Sequence, residues 1–350
     1  MRTSLHKGNL FDEKMYFWMI TIQEKKMRIA VTGASGHIGY NLVRRLLSEG
    51  HEITVWVHRE DVFSDLPVRS FRGDLREGED VRRFVKGQEA VYHLAANIFI
   101  SVGGRRRFFR DNLRMSQNVL RATKAEGCRY LYFSSVHAYD PFPLDEPLDE
   151  RRALALHDRS LYARSKALAQ QQLYKAAQEG VDVVILNPTA VIGPYDRKPS
   201  YLGRAILMMA KGRLPALIPG GYDWVDVRDV AEGAVQALTR GRRGEAYILG
   251  GHWRSLKDLD ALVRAIRGIR RRPPMLPWWL AYIGAPFLAI AARLRNEPPL
   301  YTFESLTHLR KANTLVSHEK ASRELNYHPR PLEETLQDTL QWFQDNKMLD

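Results

Sequence analysis

The feature that most constrains this chain is a glycine-rich turn between an apolar pentapeptide and a helical stretch. Residues 28–32 (Arg-Ile-Ala-Val-Thr) have the composition of a short buried strand, and three glycines follow at intervals of three. In such a turn the first glycine permits the tight bend, the second lets backbone approach a pyrophosphate, and the third allows close helix–sheet packing. The helix N-terminus then offers unpaired N–H groups to phosphates. The turn therefore predicts dinucleotide binding. The candidate residues are Gly33, Ser35, Gly36, His37, Ile38 and Gly39.

Strand-like and helical stretches alternate along the first half of the chain. Strand-like runs follow at 52–57, 68–72, 90–94, 129–133 and 181–186, with helical stretches notably at 109–126 and 160–179. This alternation predicts an α/β fold of the Rossmann type, with a doubly wound parallel sheet.

The rhythm weakens from Gly193 onward, where proline and glycine become frequent. We expect a dinucleotide-binding Rossmann domain over 27–192 and a smaller C-terminal substrate-binding lobe over most of 193–350. Part of that second half, about 224–250, is expected to return to the Rossmann domain. Within the lobe, Ser255-Leu-Lys-Asp258 has the spacing of a capping box that opens a helix.

Two apolar segments could be mistaken for membrane or targeting sequences. Residues 1–26 contain an apolar run of only eight residues, and Met27 directly precedes the first strand, so we expect 1–26 to lie outside the fold. Residues 273–292 carry no charge and reach the length of a membrane span. Four prolines, with Pro286 in the middle, predict instead shorter helices buried in the substrate lobe. A peripheral membrane segment beside a basic patch is the alternative.

The charge balance is strongly basic, with 53 lysines and arginines against 40 acidic residues and a net charge of +13. Arginines cluster at 105–107, 242–243 and 270–272. Because no zinc-finger spacing or aromatic interleaving accompanies them, we expect solvated surfaces and no nucleic-acid binding. The lone Cys128 excludes an internal disulfide and a cysteine-built metal site, so a reducing, cytoplasmic setting and no metal are predicted.

The end of the second strand bears on the choice of cofactor. An acidic residue there would bind a free ribose 2′-hydroxyl, whereas an arginine accommodates a 2′-phosphate. This chain has Val57-His58-Arg59 before Glu60. The order favours NADP(H) over NAD(H), with Arg59 as the main contact, although Glu60 would face the ribose if the strand ended one residue later.

A tyrosine and a lysine one helical turn apart are the main candidates for chemistry. Tyr162 and Lys166 share one face of a predicted helix, where a lysine cation would lower the pKa of the phenol. Ser134 and Ser135 follow a predicted strand, at the edge where ligands bind in open α/β sheets. A serine there could hold a carbonyl oxygen while the tyrosine exchanges a proton.

Together these motifs resemble the extended short-chain dehydrogenase/reductase superfamily, that is, the NAD-dependent epimerase/dehydratase family. The ordered matches are Thr-Gly-x-x-Gly-x-x-Gly at 32–39, Gly73-Asp74-Leu75, His93-Leu94-Ala95-Ala96, Ser134-Ser135, Tyr162-x-x-x-Lys166 and Asn187-Pro188. Segments at 186–194, 224–231 and 325–332 look closest to the dihydroflavonol-reductase-like branch.

The resemblance implies a role for each matching position. Ser135 would orient the carbonyl, Tyr162 would be the acid/base, and Lys166 would bind the nicotinamide ribose and depress the tyrosine pKa. Asp74 would contact adenine. The further cofactor-binding residues would be Leu75, Ala95, Ala96, Asn112 and Pro188, and the substrate candidates are Asn97, His137, Tyr139 and Asn187. Met115 and Ser116 depart from the Gly-Thr that follows the asparagine in the family.

These features favour an NADP(H)-dependent oxidoreductase that interconverts a ketone or aldehyde and an alcohol on a small apolar or aromatic substrate. Val136-His137 replaces the Asp-Glu pair of sugar-nucleotide dehydratases, which argues against dehydration. A nucleotide-sugar epimerase with tightly bound NAD and a non-catalytic dinucleotide-sensing protein remain alternatives. His93 is expected to be structural, and the family habit is a homodimer.

Overall fold

The computed structural model describes residues 26–57, 62–96, 105–294 and 302–349. The strands are β1 (Arg28–Thr32), β2 (Glu52–Val57), β3 (Arg69–Arg72), β4 (Ala90–His93), β5 (Arg129–Phe133), β6 (Val183–Pro188), β7 (Ala190–Ile192), β8 (Gly221–Asp226), β9 (Ala246–Leu249) and β10 (His252–Ser255). The helices are α1 (His37–Ser48), α2 (Gly78–Val85), α3 (Arg105–Glu126), α4 (Leu161–Gln178), α5 (Tyr201–Ala210), α6 (Val227–Arg240), α7 (Leu256–Arg267), α8 (Trp278–Leu294), α9 (Phe303–Arg310), α10 (Glu319–Leu325) and α11 (Leu332–Asp345).

Seven parallel strands form the central sheet in the order β3-β2-β1-β4-β5-β6-β9. The strand order reverses between β1 and β4, which is where ligands bind in open α/β sheets. Helices α1 and α6 cover one face with Leu42 and Ala234, while α2, α3 and α4 cover the other with Val81, Val119 and Leu173. The predicted Rossmann-type doubly wound sheet is confirmed.

The inner strands are apolar runs because both of their faces are covered by helices. β1 lies between β2 and β4, and Thr32 pairs with His93 at the carboxyl end of the sheet. After β8 and α6 the chain comes back to this sheet, since β9 pairs in parallel with β6. The carboxyl ends of β1, β4 and β5 therefore meet along one edge.

A second sheet of three strands, ordered β10-β8-β7, forms the base of the C-terminal region. The sequence did not indicate this sheet. A separate apolar core joins it to α5, α7, α8, α9 and α11, with Trp224, Leu259 and Phe343 fully buried. Ser255 caps α7 by accepting the N–H of Asp258, but the Asp258 carboxylate accepts the Ser255 hydroxyl at 2.6 Å. Only half of the expected capping box is therefore present.

Helix α8 contradicts the expectation of short, buried helices in residues 273–292. It runs from Trp278 to Leu294 with Pro286 inside it. An interior proline removes one N–H donor and kinks a helix, but the remaining hydrogen bonds can carry the helix onward. The helix is also only half buried, because Ala281 and Ala285 pack into the core while Trp279 and Ile283 are exposed. Among the described residues, no helix is long and apolar enough to cross a membrane.

Candidate active site

In the turn between β1 and α1, close backbone contacts exclude a side chain at Gly33 and at Gly39. Gly33 has a φ of +70°, and a Cβ there would lie 2.6 Å from the Ala95 nitrogen. A Cβ on Gly39 would overlap the carbonyl oxygen of Gly33 and lie 2.7 Å from Ala34 Cα. Gly36 is the N-cap of α1, with no side-chain cap, which leaves the first amides of the helix available to an anion. This cradle fits a dinucleotide pyrophosphate.

Two polar side chains of α1 hold the turn against the 193–194 loop. His37 Nε2 lies 3.0 Å from the Pro194 oxygen and 3.2 Å from the Gly193 oxygen, and Asn41 Nδ2 donates to Pro194 O at 3.2 Å. The imidazole of His37 is thus engaged with the protein, so its backbone amide is the part left for phosphate. Ser35 is exposed at the turn, whereas Ile38 packs on the core.

Asp74 and Leu75 lie in the segment after β3. The carboxylate of Asp74 accepts hydrogen bonds from the backbone N–H, the Nε and the Nη2 of Arg76, with Nη2 at 2.5 Å. Leu75 is buried, and its carbonyl accepts a hydrogen bond from Asn118 Nδ2 at 3.0 Å. Arg76 therefore already uses part of the hydrogen-bonding capacity of the Asp74 carboxylate, which the family resemblance expects to contact adenine.

His93 closes β4 beside the turn and is a structural residue. Its Nδ1 lies 2.6 Å from Thr32 Oγ1, and burial, with a smaller effect of the Lys166 charge, lowers its pKa to about 3. The ring is therefore neutral throughout the physiological range. Ala95 and Ala96, directly beyond it, are partly exposed where the chain leaves the sheet.

Ser135 and Tyr162 are brought together by two helix caps. Ser135 caps the short 3-10 turn Val136–Ala138 after β5 and accepts the N–H of His137 at 3.2 Å. Ser160 caps α4 and so sets the position of Tyr162 in its first turn. The Ser135 hydroxyl lies close enough to the Tyr162 phenol to lower its pKa. Both residues line one cavity, together with Asn112 of α3.

The expected lowering of the tyrosine pKa is not present in this arrangement. Burial raises the pKa of Tyr162, and the nearby Ser135 hydroxyl only partly offsets this rise. Lys166, one turn further along α4, donates its Nζ to the carbonyl of Phe133 at 2.7 Å and lies 5.0 Å from the Tyr132 ring. Burial lowers the pKa of Lys166 to about 8. The lysine is thus anchored to the end of β5. The loss of hydration of the Tyr162 phenol is the main influence on its pKa.

The cavity measures about 770 Å³ and lies between the carboxyl end of the sheet and the C-terminal region. Its wall is mostly apolar, and includes Phe108, Phe109, Leu148, Leu202, Met209, Leu214, Trp224 and Phe303. Polar side chains also line the wall, among them His137, Asp158, His308 and Lys311, with Asp158 and Lys311 paired at 3.2 Å. The site combines a large, mostly apolar volume with several polar groups.

The three described substrate candidates have different positions. His137 lines the cavity, with its ring centroid 6.4 Å from that of Tyr162. Tyr139 contributes to the wall, but it is almost fully buried and its hydroxyl accepts a hydrogen bond from Gln170 at 3.0 Å. Asn187 is fully buried and does not line the cavity. Its Nδ2 donates to Ser135 O and Gln170 Oε1. The Asn187 side chain thus holds the backbone of Ser135 in place and does not face the substrate cavity.

His308 of α9 was missed by the sequence analysis. Its ring centroid lies 4.4 Å from that of His137, and its Nε2 lies 3.2 Å from the Ser160 hydroxyl that caps α4. No motif surrounds His308, because it reaches the site only through the packing of the C-terminal region. Pro188, at the end of β6, is buried. Arg59 and His58 of the cofactor prediction, and Asn97, lie outside the described residues.

The fold and the site define a Rossmann-type oxidoreductase that uses a nicotinamide dinucleotide. The chain belongs to the NAD-dependent epimerase/dehydratase family, whose model matches residues 29–250. The family resemblance drawn from the motifs is thereby confirmed.

Individual proteins resemble the chain along almost its whole length. Sterol demethylase protein B of Methylococcus capsulatus is 30% identical over 92% of this chain and 100% of its own. A Synechocystis protein named after dihydroflavonol 4-reductase is 32% identical over 90% of this chain and 94% of its own. The crystal structure of gox2253 superposes with a TM-score of 0.80 at 31% identity, covering 93% of this chain and 100% of that one.

Proposed function

We propose that the protein interconverts a ketone or aldehyde and the corresponding alcohol on an apolar or aromatic substrate, using NADP(H). The observation that carries the proposal is that Ser135 and Tyr162 line the same large, mostly apolar cavity. The names of two relatives refer to a sterol and to a dihydroflavonol, which are both ring systems with extensive apolar surface.

The proposed roles follow from where each group lies. Ser135 donates a hydrogen bond to the substrate oxygen, and Tyr162 supplies the proton to that oxygen on reduction or takes it on oxidation. The turn at Gly33, Gly36 and Gly39 holds the pyrophosphate of the cofactor, and Lys166 holds its nicotinamide ribose. When bound, the cofactor supplies or accepts the hydride.

Burial raises the pKa of Tyr162, so the phenol is protonated in the resting protein. A neutral tyrosine is ready to donate a proton to a developing alkoxide. The positive charge of Lys166 and the Ser135 hydroxyl then stabilise the phenolate left behind.

The test is a search for substrate-dependent oxidation of NADPH by the full-length protein. A panel of aromatic ketones, steroids and nucleotide sugars is offered with either NADPH or NADH. The proposal expects turnover with an apolar carbonyl compound and release of NADP⁺. Turnover of nucleotide sugars alone, together with NAD retained through purification and detected by mass spectrometry, would identify an epimerase and contradict the proposal.

The cofactor preference is tested separately through Arg59. We infer from its position after β2 that it binds the 2′-phosphate of NADP(H). Because a hydrogen bond to a charged group contributes about 1.5–3 kcal/mol, Arg59→Ala should weaken NADPH binding at least tenfold. Binding of NADH should change little. Equal losses for the two cofactors would refute this assignment.

A further inference from the structure

The outer face of helix α8 is apolar and exposed. Trp279 and Ile283 are 64% and 56% exposed, and Pro286 follows on the same side of the helix at i+7 from Trp279. The opposite side already packs into the C-terminal core through Ala281 and Ala285. A helix at a protein–water boundary normally presents polar side chains outward. This helix instead presents a second apolar side.

The exposed face continues to the mouth of the cavity. Tyr282 of α8 stacks on Phe303 with ring centroids 6.1 Å apart, and Phe303 is both 54% exposed and part of the cavity wall. The segment before α8 is held in place, because Leu217 N–H donates to Pro274 O and Leu276 N–H donates to Leu217 O, both at 2.8 Å. The apolar face is therefore a fixed feature beside the entrance.

Three arginines precede this face in the chain. Arg270, Arg271 and Arg272 are all exposed, and none of them forms an ion pair within the described parts of the chain. Arginines elsewhere are engaged, as Arg228 is with Asp226 at 2.7 Å and Asp338 at 2.6 Å. Arg272 precedes the exposed Trp279 by seven residues in the chain, and unpaired cations followed by an exposed tryptophan and isoleucine have the composition of an interfacial anchor.

We propose that the outer face of α8, together with Arg270–Arg272, docks the protein on the surface of an anionic lipid bilayer. The arginines contact lipid phosphates, while Trp279 and Ile283 enter the boundary between headgroups and acyl chains. The positive charge of Arg270–Arg272 is complemented by anionic headgroups, whereas a second copy of this chain, with a net charge of +13, offers a surface of the same sign. The docking does not depend on the proposed reductase activity.

One consequence does rest on the proposed function. Since Phe303 belongs to both the exposed face and the cavity wall, docking places the cavity mouth at the bilayer surface. An apolar carbonyl substrate dissolved in lipid could then enter the cavity without crossing water.

The test is flotation of the full-length protein with vesicles, in the absence of cofactor and substrate. Vesicles of phosphatidylcholine alone are compared with vesicles in which one quarter of the lipid is phosphatidylglycerol. Wild-type protein should float with the anionic vesicles. The triple variant Arg270→Gln/Arg271→Gln/Arg272→Gln should bind them roughly one-hundredfold more weakly, at about fivefold per arginine. The double variant Trp279→Ser/Ile283→Ser should bind at least tenfold more weakly.

Matched controls distinguish binding through this surface from binding that depends only on the net charge or on exposed apolar side chains in general. Arg121→Gln/Arg240→Gln/Arg243→Gln removes the same charge from exposed positions elsewhere, and Leu144→Ser/Leu315→Ser removes two other exposed apolar side chains. Both controls should float like wild type. Equal flotation with neutral and anionic vesicles, or equal losses in the test and control variants, would overturn the proposal. So would a dimer that the α8 variant abolishes in a protein that binds no vesicles, since a second copy would then cover the face. Failure of every substrate in the activity panel would leave the docking result intact.

Discussion

The phosphate turn and helix α8 are both visible in the sequence as unusual composition, but they differ in what fixes their structure. In the turn, added atoms at Gly33 or Gly39 would collide with backbone that cannot move aside. In α8, only the inner side meets the protein, through small residues such as Ala281 and Ala285, and the outer side meets no described residue that would select its apolar character. Contacts within the molecule determine the turn, whereas no contact within the described residues accounts for the apolar outer face of α8.

The largest effect is expected in the turn. Gly39→Ala places a Cβ against the Gly33 carbonyl and Ala34 Cα, so the helix must move away from the sheet. We expect a loss of about 4 kcal/mol or more in the free energy of unfolding, together with loss of NADPH binding. Urea denaturation and a binding titration measure both. Gly78→Ala is the matched control, because its Cβ would come no closer than 3.9 Å to Asn118 and should change stability by less than about 0.5 kcal/mol. Equal effects in the two variants would show that the turn is not sterically fixed.

Next in size is the loss of the phenol at the site. Tyr162→Phe should lower kcat/KM about 10²–10⁴-fold, because general acid catalysis contributes that much, while NADPH binding stays within twofold. Ser135→Ala should also lower the rate, by removing the donor for the substrate oxygen. Ser134→Ala is the control, since the buried Ser134 hydroxyl has no hydrogen-bond partner among the described residues and does not line the cavity. Its activity should match wild type. Comparable losses in both serine variants would contradict the assignment of Ser135.

The buried lysine gives a smaller effect with a definite pH dependence. The ordinary pKa of lysine is 10.5 and burial lowers that of Lys166 to about 8, so the unfolded chain binds more protons between these values. Stability therefore rises with pH across this window, and below pH 8 the charge destabilises the fold by about 3 kcal/mol.

Lys166→Met removes this penalty but also the hydrogen bond to Phe133 O, so a net gain of about 1–2 kcal/mol is expected at neutral pH. The gain should shrink as the pH rises from about 8 toward 10.5, while activity is lost throughout. Thermal unfolding over this pH range measures it, and the exposed Lys257→Met should show less than about 0.5 kcal/mol at any pH. A gain that does not vary with pH would mean that hydration of Lys166 is not the cause.

The same difference explains which features could be predicted from the sequence. The strands of the central sheet are short apolar runs between glycines and helices, so local pattern places β1, β2, β4 and β5 within a residue or two. The three-stranded sheet has no such pattern, because β10 carries polar residues and pairs with β8, from which helix α6 and strand β9 separate it in the chain. Pro286 was read as an interruption, but helix α8 continues because packing on the C-terminal core outweighs one missing hydrogen bond.

Within the site, the motifs predicted which residues lie there better than they predicted the contacts that those residues make. Ser135 and Tyr162 lie together as their spacing from β5 and α4 implied. The sequence placed the charge of Lys166 beside the phenol, but burial of the whole group reverses the expected pKa change of Tyr162. Asn187 was a substrate candidate from the family resemblance, yet its side-chain amide donates to Ser135 O and Gln170 Oε1 and does not line the cavity. The direction in which a side chain points and the extent of its burial depend on tertiary packing, and the spacing of residues in a motif does not determine either.

The smallest effect concerns a contact between the C-terminal region and the Rossmann domain. His308 of α9 lies against Ser160, the residue that caps α4. Because Ser160 sets the start of the helix that carries Tyr162, His308→Ala should let the tyrosine move away from Ser135. We expect kcat to fall about five- to tenfold with little change in KM, which corresponds to about 1 kcal/mol for a neutral hydrogen bond. Ser160→Ala should have a similar effect, since losing an N-cap destabilises a helix by about 1 kcal/mol. If the two residues act as one unit, the double variant should lose little more than either single variant, a coupling of about 0.5–1 kcal/mol. Independent, multiplying losses would show that His308 acts on substrate directly and does not position the helix.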